Sequence, residues 1–253
     1  MKSADLSVAL LRLIAESTYI DQVHIFGLVS AYGVERTKSP VHRALQKMVR
    51  NGLILRTPGD GVYHGVVYSI TQHGLSVLEH SGNGFACVSS DTEVLHIPTQ
   101  ILHHLVLNKL RIKLRPVLGK WRGDREVRSL QILGKTDYAK DYDAVVQVNN
   151  GVRVVEFGIE YERTLKAPAR YAELANVMKR ERKLSAILYL TDNDDYYTSL
   201  AWAFKDVPLF CIARVSAFLN FVPGQNATEL DVPVTFYEGS SPVSGSLRSL
   251  LKR

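Results

Sequence analysis

Cysteine is scarce in this sequence, with two residues, Cys87 and Cys211, among 253. Two cysteines are too few for a disulfide framework, and they lack the close spacing of metal-binding pairs. The sequence therefore argues against a disulfide-stabilised secreted domain and against a cysteine-based zinc site. We expect a cytoplasmic protein with reduced thiols.

Histidine is missing from the C-terminal part of the chain, because all eight histidines lie at or before His104. That part also lacks a glycine-rich phosphate loop. Histidine general-base chemistry and histidine–zinc chemistry are therefore not expected there. Any catalysis in that part would have to use carboxylates and a divalent cation.

Long apolar runs are absent as well. No run approaches the roughly 20 residues of a membrane-spanning helix, and Asp5, Arg12 and Glu16 interrupt the apolar residues of the N-terminus. We expect neither a signal peptide nor a membrane partner. Hydrophobic residues make up 46% of the chain, which suits a packed core in one large or two smaller domains. The net charge of +6 favours a polyanionic partner without requiring one.

The sequence of residues 1–81 predicts a series of short helices and strands joined by short connections. Helices are predicted over 3–19, 20–32, 40–51 and 71–80, and strands over 53–56 and 62–70. A hairpin tip is predicted at Gly59–Gly61, because glycine accepts turn geometries. Ser39 is predicted to cap the third helix, with Pro40 at its first position. In that helix Val41, Leu45 and Met48 recur at helical spacing and should be buried.

This order of elements and the segment YSITQHGLSVLEH resemble a winged helix-turn-helix of the MarR or PadR type. The resemblance implies that the third helix enters the major groove of double-stranded DNA and that the hairpin forms the wing. The DNA-binding residues it implies are Lys38, Ser39, His42, Arg43, Gln46, Lys47 and Arg50 on the helix, with Tyr63 and His64 in the wing. The alternative is a winged helix that contacts only protein.

The pattern changes after Ser81. A linker is predicted over 82–96, a second domain over 97–237 and a flexible basic tail over 238–253, where Ser and Gly are frequent. Within 97–237 the order of helix, hairpin, helix, strand, helix and strand predicts an α/β fold with a mixed sheet. The run KLRIKLR at 109–115 fits helix and strand spacing equally. It belongs to a basic tract that is either a phosphate contact or a solvated face. The tract comprises Lys109, Arg111, Lys113, Arg115, Lys120, Arg122, Arg125 and Arg128.

The stretch from Lys140 to Tyr171 carries the most informative pattern. Two apolar segments, 141–148 and 152–162, flank Asn149-Asn150-Gly151 and predict a hairpin. Period two places Glu156, Glu160 and Glu162 on one face of the second strand. Like charges so close repel one another, so this strand end is either solvated or a candidate cation site. A purely structural alternative pairs the last two glutamates with Arg163 and Lys166.

The strings YDAVVQV and VRVVEFGIEYERTLKAPARY resemble the core of PD-(D/E)XK nucleases. With its N-terminal pattern, the chain resembles the replication-relaxation proteins of plasmids and other mobile elements, which join a winged helix to such a core. The resemblance implies Asp143 and Glu160 as catalytic residues and as ligands of Mg²⁺ or Mn²⁺. Glu162 takes the position of the nuclease lysine, which lowers the expectation of cleavage. Lys166 is the candidate for the missing positive group, and Glu126 for a further carboxylate.

The sequence therefore predicts an α/β (α+β) protein in which an N-terminal winged helix-turn-helix precedes a PD-(D/E)XK-like domain. Its expected role is DNA binding in the replication or mobilisation of a mobile element, or in the regulation of these processes, with a nuclease-like domain that no longer cuts. One alternative is an active Mg²⁺-dependent endonuclease or nickase. Another is a MarR- or PadR-like regulator whose second domain binds a ligand or partner. Double-stranded DNA is the expected partner, and a second copy of the chain or other replication or mobilisation proteins are further candidates.

Overall fold

The computed structural model of the protein describes residues 3–35, 37–59, 63–82, 98–149, 153–225, 228–238 and 241–252. The chain divides into two compact units. Unit 1 comprises Met1–Ile112 and Arg128–Leu133, and unit 2 comprises Lys113–Val127 and Gly134–Arg253. The predicted linker over 82–96 lies, apart from its first residue, outside the described ranges, so the domain boundaries stay predictions.

Unit 1 combines helices with a small antiparallel sheet. Its elements are α1 (Ser3–Ser17), β1 (Ile20–Asp21), α2 (Gln22–Ala31), α3 (Lys38–Arg50), β2 (Ile54–Pro58), β3 (Val66–Ile70), α4 (Gln72–His80) and most of α5 (Pro98–Leu114). The strand order is β1-β3-β2, with β3 in the centre. Each strand is short, so the sheet depends on the helices that cover it.

The core of unit 1 follows from the apolar stripes of its helices. Leu10 and Ile14 of α1 are fully buried and join Val41, Leu45 and Met48 of α3 in one hydrophobic cluster. These residues recur three or four positions apart, so each helix turns a single face to the core. The predicted buried face of the third helix is confirmed.

A buried ion pair adds to the packing of unit 1. Arg111 of α5 donates to Glu16 of α1 at 2.5 Å and to the hydroxyl of Tyr32 at 3.1 Å. Two further contacts of α5 are the hydrogen bond from Asn108 to the carbonyl of Tyr19, at 2.9 Å, and an apolar cluster containing Ile101 and Leu105. Arg111 belongs to the basic tract, and its burial makes it a structural residue and not a phosphate contact.

The start of α3 corrects one prediction. The helix begins at Lys38, and its N-cap residue is Thr37, whose side chain makes no capping hydrogen bond. Ser39 therefore lies inside the first turn and does not cap the helix. Pro40 is tolerated there because the first N–H groups of a helix have no partner within it. Of the predicted hairpin tip, residues 60 and 61 lie outside the described ranges.

Unit 2 is built on one large mixed sheet. Its strands are β4 (Leu118–Gly123), β5 (Ala144–Asn149), β6 (Val154–Tyr161), β7 (Ala186–Thr191), β8 (Phe210–Arg214), β9 (Pro233–Glu238) and β10 (Ser241–Ser246), and its helices include α7 (Pro168–Met178), α8 (Asp194–Phe204), α9 (Val215–Asn220) and α10 (Leu247–Leu251). A further helix, α6 (Asp124–Ile132), follows β4. The sheet order is β10-β9-β8-β7-β6-β5-β4. The predicted α/β fold with a mixed sheet is confirmed.

The centre of this sheet lies where two crossover connections meet. β6, β7 and β8 run parallel, whereas β4, β5 and β6 form antiparallel pairs. All six residues of β7 are buried, as expected for a strand with helices on both faces. The run 109–115 is helical up to Leu114, which settles its ambiguous spacing. Among the described helices, none combines the length and the apolar character needed to cross a bilayer.

The C-terminal residues correct a second prediction. β10 pairs with β9 over six residue pairs, and Leu247, Leu250 and Leu251 of α10 are buried. Ser246 caps this helix by accepting from the N–H of Ser249. The prediction of a flexible tail from residue 238 is therefore wrong for the described residues. The Ser/Gly-rich composition concealed an edge strand and the three leucines that follow it.

Gly158 of β6 is packed closely against two side chains. A Cβ atom there would lie 2.9 Å from the ring of Tyr142 and 3.0 Å from a methyl group of Leu184. Gly158→Ala should therefore destabilise unit 2 by about 1–3 kcal/mol, because over-packing forces side chains or backbone to move. Urea denaturation followed by tryptophan fluorescence reports on this unit, since both tryptophans, Trp121 and Trp202, belong to it.

Gly224→Ala is the matched control for this experiment, because a Cβ atom at Gly224 meets nothing within 4 Å. We expect the control to shift the denaturation midpoint little. Equal midpoints for the Gly158 variant and the wild type would contradict the packing assigned to β6.

Candidate functional site

The exposed face of α3 carries the helical residues predicted to bind DNA. All seven of them are exposed: Lys38, Ser39, His42, Arg43, Gln46, Lys47 and Arg50. The helix contains no acidic residue, and two of its basic residues lie in the last turn. Cations are favoured at that end by the helix dipole. The structure thus brings these residues together on one positive surface.

A hydrogen-bonded group of three polar side chains lies on the same surface. The Nε2 atom of Gln46 is 2.9 Å from Nε2 of His42. The Nε2 atom of Gln22, the first residue of α2, is 3.2 Å from Nδ1 of the same imidazole. The residues predicted from the sequence included His42 and Gln46 but not Gln22, because only the fold brings α2 beside α3.

The two wing candidates differ in their surroundings. Tyr63 donates its hydroxyl hydrogen to Oδ2 of Asp21 at 2.8 Å, and burial together with Asp21 raises the pKa of Tyr63 well above its usual value. Asp21 is the N-cap of α2 and accepts from the backbone of His24. Tyr63 therefore anchors the base of the hairpin to α2. His64 is exposed. DNA contact by either residue stays a prediction.

In unit 2, Asp143 and Glu160 oppose each other at the open end of the β5–β6 hairpin. Ala144 pairs with Ile159, so the next opposed residues in this antiparallel register are Asp143 and Glu160. Directly opposed side chains on one face have Cβ atoms about 4.5–5.5 Å apart. Oδ2 of Asp143 also accepts the N–H of Tyr161 at 2.8 Å. The structure thus brings together the two residues predicted to bind a metal.

Lys140 is the cation that contacts Glu160. Its ammonium donates to Oε1 of Glu160, and the two side chains are 15% and 12% exposed. Burial raises the pKa of Glu160 to about 7, Asp143 adds to the rise, and Lys140 opposes it. The ion pair therefore compensates only part of the cost of burying this carboxylate. The sequence analysis missed Lys140, although it lies three residues before Asp143.

Glu162 and Lys166 form a second ion pair next to the first. Nζ of Lys166 lies 2.5 Å from Oε2 of Glu162, with 46% of the lysine side chain exposed and 9% of the glutamate. The hydroxyl of Tyr171 accepts the backbone N–H of Lys166 at 2.9 Å. The charge of Lys166 also lowers the pKa of Glu160. The structural alternative, in which Lys166 pairs with a glutamate of this strand, is confirmed for Glu162.

Glu126 lies in a different cluster. Its Oε1 atom is 3.0 Å from Nζ of Lys120 and 4.0 Å from Nε of Arg122. Arg122 in turn donates to Glu156 at 2.6 Å, and Tyr138 donates to the same glutamate at 2.9 Å. The charges of Glu126 and Glu156 are thus matched by the basic residues of β4. Its contacts give Glu126 an ion-pairing role beside β4, and a catalytic role stays a prediction.

Glu181 is a buried carboxylate that the sequence analysis did not single out. It is 2% exposed and accepts hydrogen bonds from the N–H of Ala139, the hydroxyl of Tyr142 and the N–H of Lys183. These bonds hold the segment that carries Lys140 against the turn that follows α7. No local pattern marks such a residue, because its partners in that segment are about 40 positions away.

The donor set at Asp143 and Glu160 fits a hard divalent cation. Mg²⁺ binds one or two carboxylates and completes its shell with water and phosphate oxygens. Within the described ranges, no group of three or more His, Cys, Asp or Glu side chains is arranged to hold a metal. The two carboxylates would therefore need water and a phosphate as the remaining ligands.

Comparison of the chain with protein-family models, curated proteins and solved structures found no match. What the two units do is therefore inferred from their own residues and geometry.

The raised pKa of Glu160 predicts a pH dependence of stability. Because the folded-state pKa of about 7 exceeds the ordinary value of 4.5, the folded protein binds more protons than the unfolded chain between these values. The free energy of unfolding should fall as the pH rises from 4.5 to about 7 and should lose nothing further from this group above 7. Glu160→Gln should remove that part of the fall.

Urea denaturation of the wild type and of Glu160→Gln at pH 5 and pH 8 measures the change in the free energy of unfolding with pH. Tryptophan fluorescence follows unfolding, and a chelator is present throughout. Titrating groups that do not interact with Glu160 are common to the two proteins, so their effects cancel. An identical pH dependence in the two proteins would refute the burial cost assigned to Glu160.

Proposed function

We propose that the protein binds double-stranded DNA through unit 1 and acts in the replication or mobilisation of a mobile element, or in the regulation of these processes. The observation that carries this proposal is the exposed, wholly non-acidic face of α3, opposite a face of three buried apolar residues. A helix of this kind can place side chains against base edges while its basic residues contact phosphates.

The order of elements in unit 1 supports a winged helix-turn-helix. α2 and α3 are followed by the antiparallel pair β2–β3, and β1 adds a third strand next to β3. In this arrangement α3 is the recognition helix and the segment between β2 and β3 is the wing. The hydrogen bond from Tyr63 to Asp21 then sets the position of the wing relative to α2.

The geometry of unit 2 supports a nuclease-like domain of the replication-relaxation type. Asp143 precedes β5, Glu160 lies near the end of β6, and α7 connects β6 to the parallel strand β7. Glu162 takes the position of the expected lysine and is itself paired with Lys166. This pairing favours a domain that contacts DNA or partner proteins without cutting.

Metal-dependent nicking of DNA is the second candidate function. The opposed carboxylates Asp143 and Glu160, with Lys140 and Lys166 close by, favour it. A bound Mg²⁺ or Mn²⁺ would supply Lewis-acid activation of a phosphate and of a water molecule. The two carboxylates would hold the cation, and a lysine would stabilise negative charge on the phosphate.

The double variant Arg43→Ala/Lys47→Ala should weaken binding to duplex DNA, because fewer counterions are released when fewer phosphates are neutralised. The slope of log K against log salt should become shallower by about 0.9 for each phosphate that is no longer neutralised. Fluorescence anisotropy over a series of salt concentrations measures both the affinity and the slope.

Lys179→Ala/Arg180→Ala is the matched control, since it removes the same charge from exposed residues of unit 2. We expect it to leave the affinity closer to that of the wild type. Equal decreases in affinity for the two variants would mean that the charges of α3 contribute no more than those of unit 2, and α3 would no longer be the reader of DNA.

Asp143→Asn should abolish metal binding while leaving the fold intact, because the change is nearly isosteric. A cation at about 100 times its dissociation constant stabilises the folded state by about 2.7 kcal/mol, so Mn²⁺ should raise the melting temperature of the wild type by roughly 5 °C or more. Lys166→Ala should keep this increase and reduce any nicking of supercoiled plasmid. Asp206→Asn, at an exposed position, is the control.

Stabilisation by Mn²⁺ without nicking would favour the binding-only role of unit 2. If calorimetry detects no binding of millimolar Mg²⁺ or Mn²⁺ in the presence of DNA, the second candidate function is wrong.

A further inference from the structure

The imidazole of His42 joins the side-chain amides of two helices on the exposed surface of unit 1. Nε2 of Gln46 lies 2.9 Å from one ring nitrogen, and Nε2 of Gln22 lies 3.2 Å from the other. All three residues are exposed. Exposed glutamines are usually free to rotate, so a histidine that contacts both restricts the orientation of both amides.

The chemistry of a neutral imidazole limits what these contacts can be. One ring nitrogen carries the hydrogen and donates, while the other accepts. One amide must therefore give an N–H to the ring, and the other must present its oxygen. Both contacting amide atoms are nitrogens, so one amide must be turned over to present its oxygen. We assign the N–H donation to Gln46, whose contact is the shorter, and turn the amide of Gln22 so that its oxygen accepts from the ring.

This assignment leaves Gln46 with one acceptor and one donor for a partner. Its amide carries two hydrogens and one oxygen, and one of the hydrogens is bound to His42. The N–H that lies cis to the oxygen faces the same side of the planar amide as the oxygen, and both are available to a partner when His42 takes the other hydrogen. They match the major-groove edge of adenine, where N7 accepts and the N6 amino group donates.

We propose that Gln46, oriented by His42 and Gln22, recognises an adenine base in the major groove. This inference rests on the proposed function, in which α3 enters that groove. Guanine fits less well, because its edge offers two acceptors, N7 and O6, and a single amide N–H can serve only one. The exposed basic residues Arg43, Lys47 and Arg50 of the same helix supply the phosphate contacts that hold the helix in place.

His42 and Gln22 are positioning residues in this scheme, because they act through the amide of Gln46. The sequence spacing of His42 and Gln46, four residues apart on one helix, allows the first contact. The second contact needs the beginning of α2 next to α3, which the helix-turn-helix packing provides. The arrangement in which His42 contacts both glutamines therefore forms only in the folded unit.

The test begins with the base preference of the full-length wild type, selected from a duplex library randomised over about two helical turns. Binding to the selected duplex and to duplexes changed at single positions is then compared among variants. Gln46→Ala should lose about tenfold of the preference for A·T at one position. Arg50→Ala, the control, should weaken binding to all duplexes and keep the preference.

His42→Ala should lose part of the same preference at the same position, and His42→Ala/Gln46→Ala should lose no more than Gln46→Ala alone. A merely structural role of His42 would instead lower the affinity for every sequence. Replacing the selected adenine by 7-deazaadenine, which lacks N7 as an acceptor, should weaken binding of the wild type but not of Gln46→Ala.

The outcomes separate the two proposals. If the wild type binds no duplex, the proposed function fails and this inference fails with it. If the wild type binds DNA but Gln46→Ala keeps the full base preference, the assignment of Gln46 is overturned while DNA binding by unit 1 stands. Circular dichroism of each variant confirms that the fold is intact.

Discussion

The antiparallel pairing of β5 and β6 is the interaction on which the candidate site of unit 2 depends. The register that places Ala144 opposite Ile159 also places Asp143 opposite Glu160. The parallel strand β7 then pairs with the other edge of β6, and the side chain of Glu160 is buried. A buried and a half-buried carboxylate are thereby held side by side at a strand end, an arrangement that is stable only if cations or protons offset their repulsion.

Basic residues from outside β6 supply that compensation. Arg122 contacts Glu156, Lys140 contacts Glu160, and Lys166 contacts Glu162, which follows the strand. Each of these glutamates is thus matched within unit 2 itself. In the proposed binding-only role these ion pairs stay intact, and in the proposed nicking role Asp143 and Glu160 would hold the cation in their place.

Helix α3 of unit 1 contributes one face to the core and the other to the exposed surface. The buried side of α3 joins the core, and its exposed side presents basic and amide groups with no acidic residue among them. The same burial that stabilises the unit therefore fixes the direction in which the proposed DNA-reading residues face. The partly buried hydrogen bond from Tyr63 to Asp21 joins the residues next to β3 to the start of α2, beside the proposed reading surface.

Local periodicity and turn chemistry predicted most helices of unit 1, the hairpin of β2 and β3, and the strands β5, β6, β7 and β8, because these patterns depend on neighbours in sequence. They did not predict β1, β4, β9 or β10, and the pair Asp143 and Glu160 was implied by the resemblance to PD-(D/E)XK nucleases. The pair of Glu162 and Lys166, four residues apart, was among the alternatives read from the sequence, whereas only the tertiary structure decided that Lys140 meets Glu160. Lys140, Glu181 and Gln22 have partners about 20 to 42 positions away, and no spacing rule reaches that far. The C-terminal residues are the clearest difference, since a Ser/Gly-rich segment becomes a strand once β9 offers an edge to pair with.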